Sequence, residues 1–216
     1  MIKDNLKKRI YTSFSLFVMI FLIMKYQQIL IFSLLVLAVL SLIEFLNLTK
    51  KLFNNKFFFS IVNLLFIIYV FLFCYLFLFF SNVLQLKIIL FSLLFCCIAS
   101  DVGGFIFGKY FKGPKLTKIS PNKTYAGAIG SIFLSLIIFS GSIFYFTQNF
   151  NFEIISVAVM TSISCQIGDL IFSFLKRKVK IKDTGNVLPG HGGVLDRLDG
   201  IFLGIPVGLI LIILIF

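Results

Sequence analysis

Residues 57–80 read FFFSIVNLLFIIYVFLFCYLFLFF, a run without one charged side chain. A helix rises ~1.5 Å per residue and the hydrocarbon of a bilayer is ~30 Å thick, so about 20 apolar residues cross it. This stretch is long enough, and it has no polar face to turn toward water. Six further apolar runs accompany it, at about 10–24, 27–47, 83–108, 125–147, 153–175 and 200–216. The first and last are short, and only Lys25 and its neighbours part the first two. The pattern predicts an all-α, polytopic integral membrane protein with about seven transmembrane helices. It divides into N-terminal membrane spans over 1–97 and a second membrane region over 98–216 with polar loops at 109–123 and 176–199.

Composition excludes a soluble fold. Of 216 residues, 60% are hydrophobic and 13% charged, where soluble domains run near ~45–50% and ~25%. Lys and Arg number 20 against 8 Asp and Glu, a net charge of +12. Such basicity suits either nucleic acid or an anionic membrane surface, and the placement of the charges selects the membrane. Segments 1–9, 49–56, 109–123 and 176–199 hold 4, 3, 5 and 6 of the Lys and Arg. The turns between them hold Lys25, Lys87 and, around Asn149, none. Cytoplasmic loops carry the excess of Lys and Arg, so the N-terminus is expected in the cytoplasm, which an odd number of spans accommodates. No small-residue cleavage site follows Met24, and the first run reads as an uncleaved span rather than a signal peptide. Cys74, Cys96, Cys97 and Cys165 all lie in apolar runs without metal-ligand spacing, as expected of thiols packing as small hydrophobes.

The eight acids are few enough to take singly. Asp4, Glu44 and Glu153 lie near the ends of runs and read most simply as interfacial. Asp101 and Asp169 lie inside apolar runs, where a carboxylate costs ~2.5–3.5 kcal/mol even on the lenient insertion scale. Asp101 precedes Lys109 by eight residues and Asp169 precedes Lys176 by seven, which places both at similar depth from the same membrane face. Each either pairs with a nearby Lys or caps a broken helix, or the two face one polar cavity. Asp196 and Asp199 share a face if the last helix begins near Val194, and acids there also complement the helix dipole. Before them runs Pro189-Gly190-His191-Gly192-Gly193. A glycine turn lets backbone N–H groups approach an oxyanion, and acids beside it suit Mg²⁺. The basic loops, at least partly a topology signal or a lipid contact, complete a combination suited to Mg²⁺ and two phosphate-bearing reactants. His191, the lone histidine, is a candidate general base, phosphate contact or structural hydrogen-bonder.

From Ser173 to Asp199 the chain reads SFLKRKVKIKDTGNVLPGHGGVLDRLD. This resembles the C-terminal signature of the phosphatidate cytidylyltransferase (CDP-diacylglycerol synthase) family. Its fixed positions are met by Ser173, Lys176, Arg177, Lys182, Asp183, His191, Gly192, Gly193, Asp196, Arg197 and Asp199. Asp101-Val-Gly-Gly with Gly108-Lys109, then Ser120-Pro-Asn-Lys-Thr124, then Gly168-Asp169, resemble the family's upstream blocks in order. The chain departs from the pattern at Phe172, where relatives often carry Glu. At Lys123-Thr-Tyr-Ala-Gly127 the usual Trp and the polar residue before the glycine are missing.

The resemblance implies transfer of the cytidylyl group of CTP to phosphatidate, giving CDP-diacylglycerol and pyrophosphate for phospholipid biosynthesis. It implies a multi-pass protein of the inner, cytoplasmic membrane with its active site on the cytoplasmic side of the second half. CTP, phosphatidate and membrane lipids are its partners, without nucleic acid, and a homodimer is compatible with it. Mg²⁺ is the implied cofactor, with room for a monovalent cation such as K⁺. Carried onto this chain, Asp169, Asp196 and Asp199, with Asp101 as a further candidate, hold the metal. Lys176, Arg177, Lys182 and Arg197 contact phosphates, and Ser120, Lys123 and Thr124 belong to the nucleotide or phosphate loop. His191, Gly192 and Gly193 shape the turn, and Asp183 orders the basic loop. Asp169, Lys176, Arg177, Asp196, Arg197 and Asp199 are the expected catalytic set. Two alternatives compete: a CTP-dependent polyprenol- or phytol-type lipid kinase, which would attack the γ-phosphorus, and a transporter. Asp101 and Asp169, the acids inside apolar runs, and the glycine turns lie toward the second half, without the paired repeats common in transporters.

Overall fold

The computed structural model describes residues 2–117, 120–148, 150–187 and 192–215; of 2–10, 12 and 13 only the backbone is described. Among these residues there are seven helices: α1 (Ile2–Lys25), α2 (Gln27–Leu52), α3 (Lys56–Ser81), α4 (Leu84–Phe111), α5 (Tyr125–Thr147), α6 (Phe152–Lys178) and α7 (Leu195–Ile215). The six from α2 to α7 are long and apolar enough to cross a membrane, whereas the apolar part of α1, Phe14–Lys25, is shorter. The chain is an all-helical, multi-pass membrane protein. Helices α4 and α6 run past the apolar runs that announce them, to Phe111 and Lys178, because backbone hydrogen bonding continues where hydropathy stops.

The helices fall into two compact units: Met1–Leu78 with Leu175–Leu198, and Phe79–Phe174 with Asp199–Phe216. In the first, α1 packs beside α2. Leu30, Leu34, Phe45 and Leu48 form the buried side of α2, and Phe45 stacks on Phe66 of α3 with ring centroids 3.8 Å apart. A polar tie sits beside that stack, where the Thr49 hydroxyl donates to Asn63 Oδ1 at 3.0 Å. The end of α6 closes with paired backbone bonds, Ile181 N–H to Lys176 O and Lys180 N–H to Arg177 O, both 3.0 Å. Lys180 takes the left-handed position, φ 58°, that glycine usually fills in this cap.

The second unit is built on small residues. In lipid there is little hydrophobic drive between helices, so close backbone approach and interhelical hydrogen bonds carry the packing. On α4, Gly103 and Gly104 meet Gly130, Gly127 and Ser131 of α5: a Cβ on Gly103 would lie 2.5 Å from Gly130 O, and one on Gly127 2.8 Å from Gly104 O. Serines fasten the seam, with Ser131 Oγ donating to Ser100 O at 2.7 Å and Ser135 Oγ to Cys96 O at 3.0 Å. Helix α7 carries Gly200, Gly204 and Gly208 at four-residue spacing, each against Cys165, Cys97, Thr161 or Leu93 of α6 and α4. Cys96, Cys97 and Cys165 are buried free thiols, and Cys74 is half-buried.

Overpacking this seam is expected to cost about 1–3 kcal/mol. Gly130→Ala pushes a methyl into the Phe107 side chain, whereas Gly141→Ala enters open space. Thermal unfolding in detergent should show a lowered midpoint for the first and an unchanged or raised one for the second.

Candidate functional site

The second unit contains a cavity of about 310 Å³. Helix α4 lines it with Ser100, Asp101 and Gly104, α5 with Gly127 and Ser131, and α6 with Gln166 and Asp169. The 112–124 loop adds Ser120, Asn122, Lys123 and Thr124. Asp101 and Asp169, read from the sequence as acids at matched depth, therefore open onto the same cavity.

The loop owes its course to local chemistry. Gly113 supplies a φ of 111° just after α4 ends. The two limbs then pair, with Leu116 N–H donating to Lys123 O at 2.8 Å and Tyr125 N–H to Pro114 O at 3.2 Å. Between them Ser120-Pro121-Asn122-Lys123 forms a turn closed by Lys123 N–H to Ser120 O, 3.1 Å. Thr124 then caps α5, its Oγ1 accepting from Gly127 N–H at 3.1 Å, a standard role for threonine at a helix start. So placed, the Lys123 ammonium pairs with the Asp169 carboxylate. Ser173, one turn further along α6, donates to the other oxygen of Asp169 at 3.2 Å. The Cys165 thiol lies 3.9 Å from Asp101 Oδ1.

The first unit holds a second polar cluster. Lys176 Nζ and Asp196 Oδ1 are 2.6 Å apart, with side chains only 10% and 7% exposed. Asp196 Oδ2 accepts from the backbone N–H of Thr184 at 2.8 Å and of Gly193 at 3.0 Å. Glu44 of α2 is 4% exposed. It accepts from Val194 N–H and Leu195 N–H, both at 2.9 Å, and from the Thr184 hydroxyl at 2.7 Å. Glu44, read from the sequence as interfacial, is a buried acid that caps α7. The amides of 193–195, offered by the sequence to an oxyanion, are engaged by protein carboxylates.

Of the remaining expected residues, Arg177 turns its guanidinium to the Ile181 carbonyl at 3.3 Å, and Lys182, Asp183 and Arg197 are exposed. Gly192 has φ 87°. Asp199 is 7% exposed in the second unit, where its Oδ1 accepts from Gly200 N–H at 2.9 Å. His191 lies outside the described residues. Sequence reasoning missed Glu44, Thr184, Asn122 and Gln166. The signal for Glu44 was present: it is the single acid of α2, and the cost argument applied to Asp101 and Asp169 applies equally to it.

The model of the cytidylyltransferase family matches residues 2–215. The chain belongs to the cytidylyltransferase family. It is 42% identical over 116 residues to a phosphatidate cytidylyltransferase of Staphylococcus aureus (strain COL), covering 53% of this chain and 45% of that one. It is 44% identical over 124 residues to one of Rickettsia typhi, covering 53% and 54%. With one of Helicobacter pylori it shares 45% over 120 residues, covering 52% and 42%. The chain thus spans about half the length of the relatives it matches.

The Mg²⁺ that the resemblance implies would need oxygen donors. Among the described residues no three His, Cys, Asp or Glu side chains form a metal-holding group. Mg²⁺ usually takes one or two carboxylates, several waters and substrate phosphates. Asp101 and Asp169 with neighbouring hydroxyl and amide oxygens fit that mode.

The Lys176–Asp196 pair generates a stability prediction. Removing one partner of a buried pair strands the other charge, at about 3–5 kcal/mol. Lys176→Met is expected to lower the unfolding midpoint strongly, and Lys176→Met with Asp196→Asn to recover part of the loss; equal losses in the single and double variants would refute the pairing.

Proposed function

We propose that this chain transfers the cytidylyl group of CTP to phosphatidate, releasing CDP-diacylglycerol and pyrophosphate. The reading is carried by the signature met at every fixed position from Ser173 to Asp199, in a chain matched over residues 2–215 by the cytidylyltransferase family. The names of its relatives point to the same substrates, and the cavity lined by Lys123, Asp169 and Asp101 supports it chemically.

A phosphate monoester has a second pKa near ~6, so phosphatidate is largely a dianion at neutral pH and needs no strong base. One of its oxygens forms the new bond to the α-phosphorus of CTP, and the bond from that phosphorus to the β-bridging oxygen breaks. Transfer of this kind asks the protein mainly to position groups and to offset charge. Lys123 supplies positive charge in the cavity, with Ser120 and Thr124 as hydroxyl contacts on the same loop. Lys176, Arg177, Lys182 and Arg197 are assigned to phosphates of CTP or of the lipid. His191, Gly192 and Gly193 shape the turn, and Asp183 orders the basic loop. Bound Mg²⁺ would offset charge on the leaving pyrophosphate. Asp101 and Asp169 are its candidates on cavity grounds, with Asp196 and Asp199 added by the signature; a monovalent cation such as K⁺ would accompany it. The charge pattern supports seven spans with a cytoplasmic N-terminus and the catalytic region, 98–216, open to cytoplasmic CTP. An inner-membrane location and a homodimer complete the proposal.

The test uses purified chain in detergent with phosphatidate, Mg²⁺ and CTP labelled at either the α- or the γ-phosphate. Label from the α-phosphate should enter lipid, with pyrophosphate released. Label from the γ-phosphate in lipid would make the protein a lipid kinase instead. Asp169→Asn should lower turnover on the order of 10²-fold or more with membrane insertion intact; near-normal turnover would remove Asp169 from the site.

A further inference from the structure

We infer that Glu44, far from the signature in sequence, is the positioning residue of the loop that joins α6 to α7. The role rests on the cytidylyl-transfer reading above. Its carboxylate takes three donors at once, two backbone N–H groups at the start of α7 and the Thr184 hydroxyl, while only 4% exposed. Two glycines of the same loop are small because of it. A Cβ on Gly185 would lie 2.6 Å from Glu44 Oε1, and one on Gly193 would run into the Thr184 hydroxyl and lie 2.8 Å from Glu44 Cδ. Thr184 links this carboxylate to the neighbouring one, since its hydroxyl donates to Glu44 while its N–H donates to Asp196. Gly193 stands between the same two acids, its N–H donating to Asp196 and its open side facing Glu44 and the Thr184 hydroxyl. The side chain from α2 therefore fixes where Asp196 and its partner Lys176 stand, without itself needing to touch a substrate. The space beside Gly193 is taken by the Thr184 hydroxyl and by the Glu44 carboxylate to which it donates, which leaves no room for a Cβ.

The experiment compares wild type with Glu44→Gln, which keeps the shape but loses the charge and one acceptor, Glu44→Asp, and Thr184→Val. Hydrogen exchange of the peptide covering residues 183–198 is read beside kcat and the KM for CTP. Glu44→Gln should exchange about tenfold faster in that peptide, the effect of weakening one charge-assisted bond. It should also raise KM for CTP and lower kcat, whereas a mere loss of folded protein lowers the apparent kcat alone. Gly193→Ala should be as damaging as Glu44→Gln, and the pair together little worse than either alone, because one contact is lost in both. Unchanged exchange in Glu44→Gln overturns the positioning role, as does faster exchange with wild-type kcat and KM. Additive losses in the Gly193 pair overturn the origin assigned to that glycine. Wild-type protein that labels no lipid sinks the reaction instead, while the exchange comparison still decides whether Glu44 holds the loop.

Discussion

A carboxylate placed within an apolar helix must have its charge met by donors, because an unanswered one costs several kcal/mol. Most of the polar architecture of this protein follows from that requirement. Asp169 is met by Lys123 and Ser173. Asp196 is met by Lys176 and two backbone amides, and Glu44 by two amides and a hydroxyl. In each case at least one donor stands outside the helices, at Lys123, Thr184, Gly193 or Val194, and not only on the acid's own helix. The acids thus determine the loops: a chain that must bring Lys123 to Asp169, or Thr184 to Glu44, has few courses open to it.

Small residues make the rest possible. The glycines that let α4 and α5 approach include Gly104 and Gly127, which also line the cavity. A larger residue at either position would both separate the helices and fill space next to Asp101. Packing and cavity shape are here the same property. Serine serves the seam in a way alanine would not, since Ser131 and Ser135 donate to backbone carbonyls of α4 where hydrocarbon offers no competing partner.

The helices were legible because a bilayer demands long apolar runs, and Phe57–Phe80 satisfies that demand without help from any other part of the chain. Asp101 and Asp169 were legible by the same physics, as exceptions to it. Where the reading stopped short, the missing information was long-range. Glu44 stands close enough to the end of its run to pass as interfacial, and its partners lie 140 to 151 residues away, beyond any periodic pattern. Thr184 looks like an ordinary loop threonine until that partner is known. Gly200, Gly204 and Gly208 meet side chains of α4 and α6, partners that no local pattern names.

The glycine turn shows why a motif needs its electrostatic context. A helix start offers a limited set of N–H donors and a positive potential equivalent to about half a charge. At α7 the donors of 193, 194 and 195 are already committed to Asp196 and Glu44. Two carboxylates at that end more than offset the dipole, so the start of α7 is not by itself an attractive place for a phosphate. On the proposed reading, positive charge for a polyphosphate is therefore assigned to side chains, and Lys123 in the wall of the cavity, where it also balances Asp169, is the first of them.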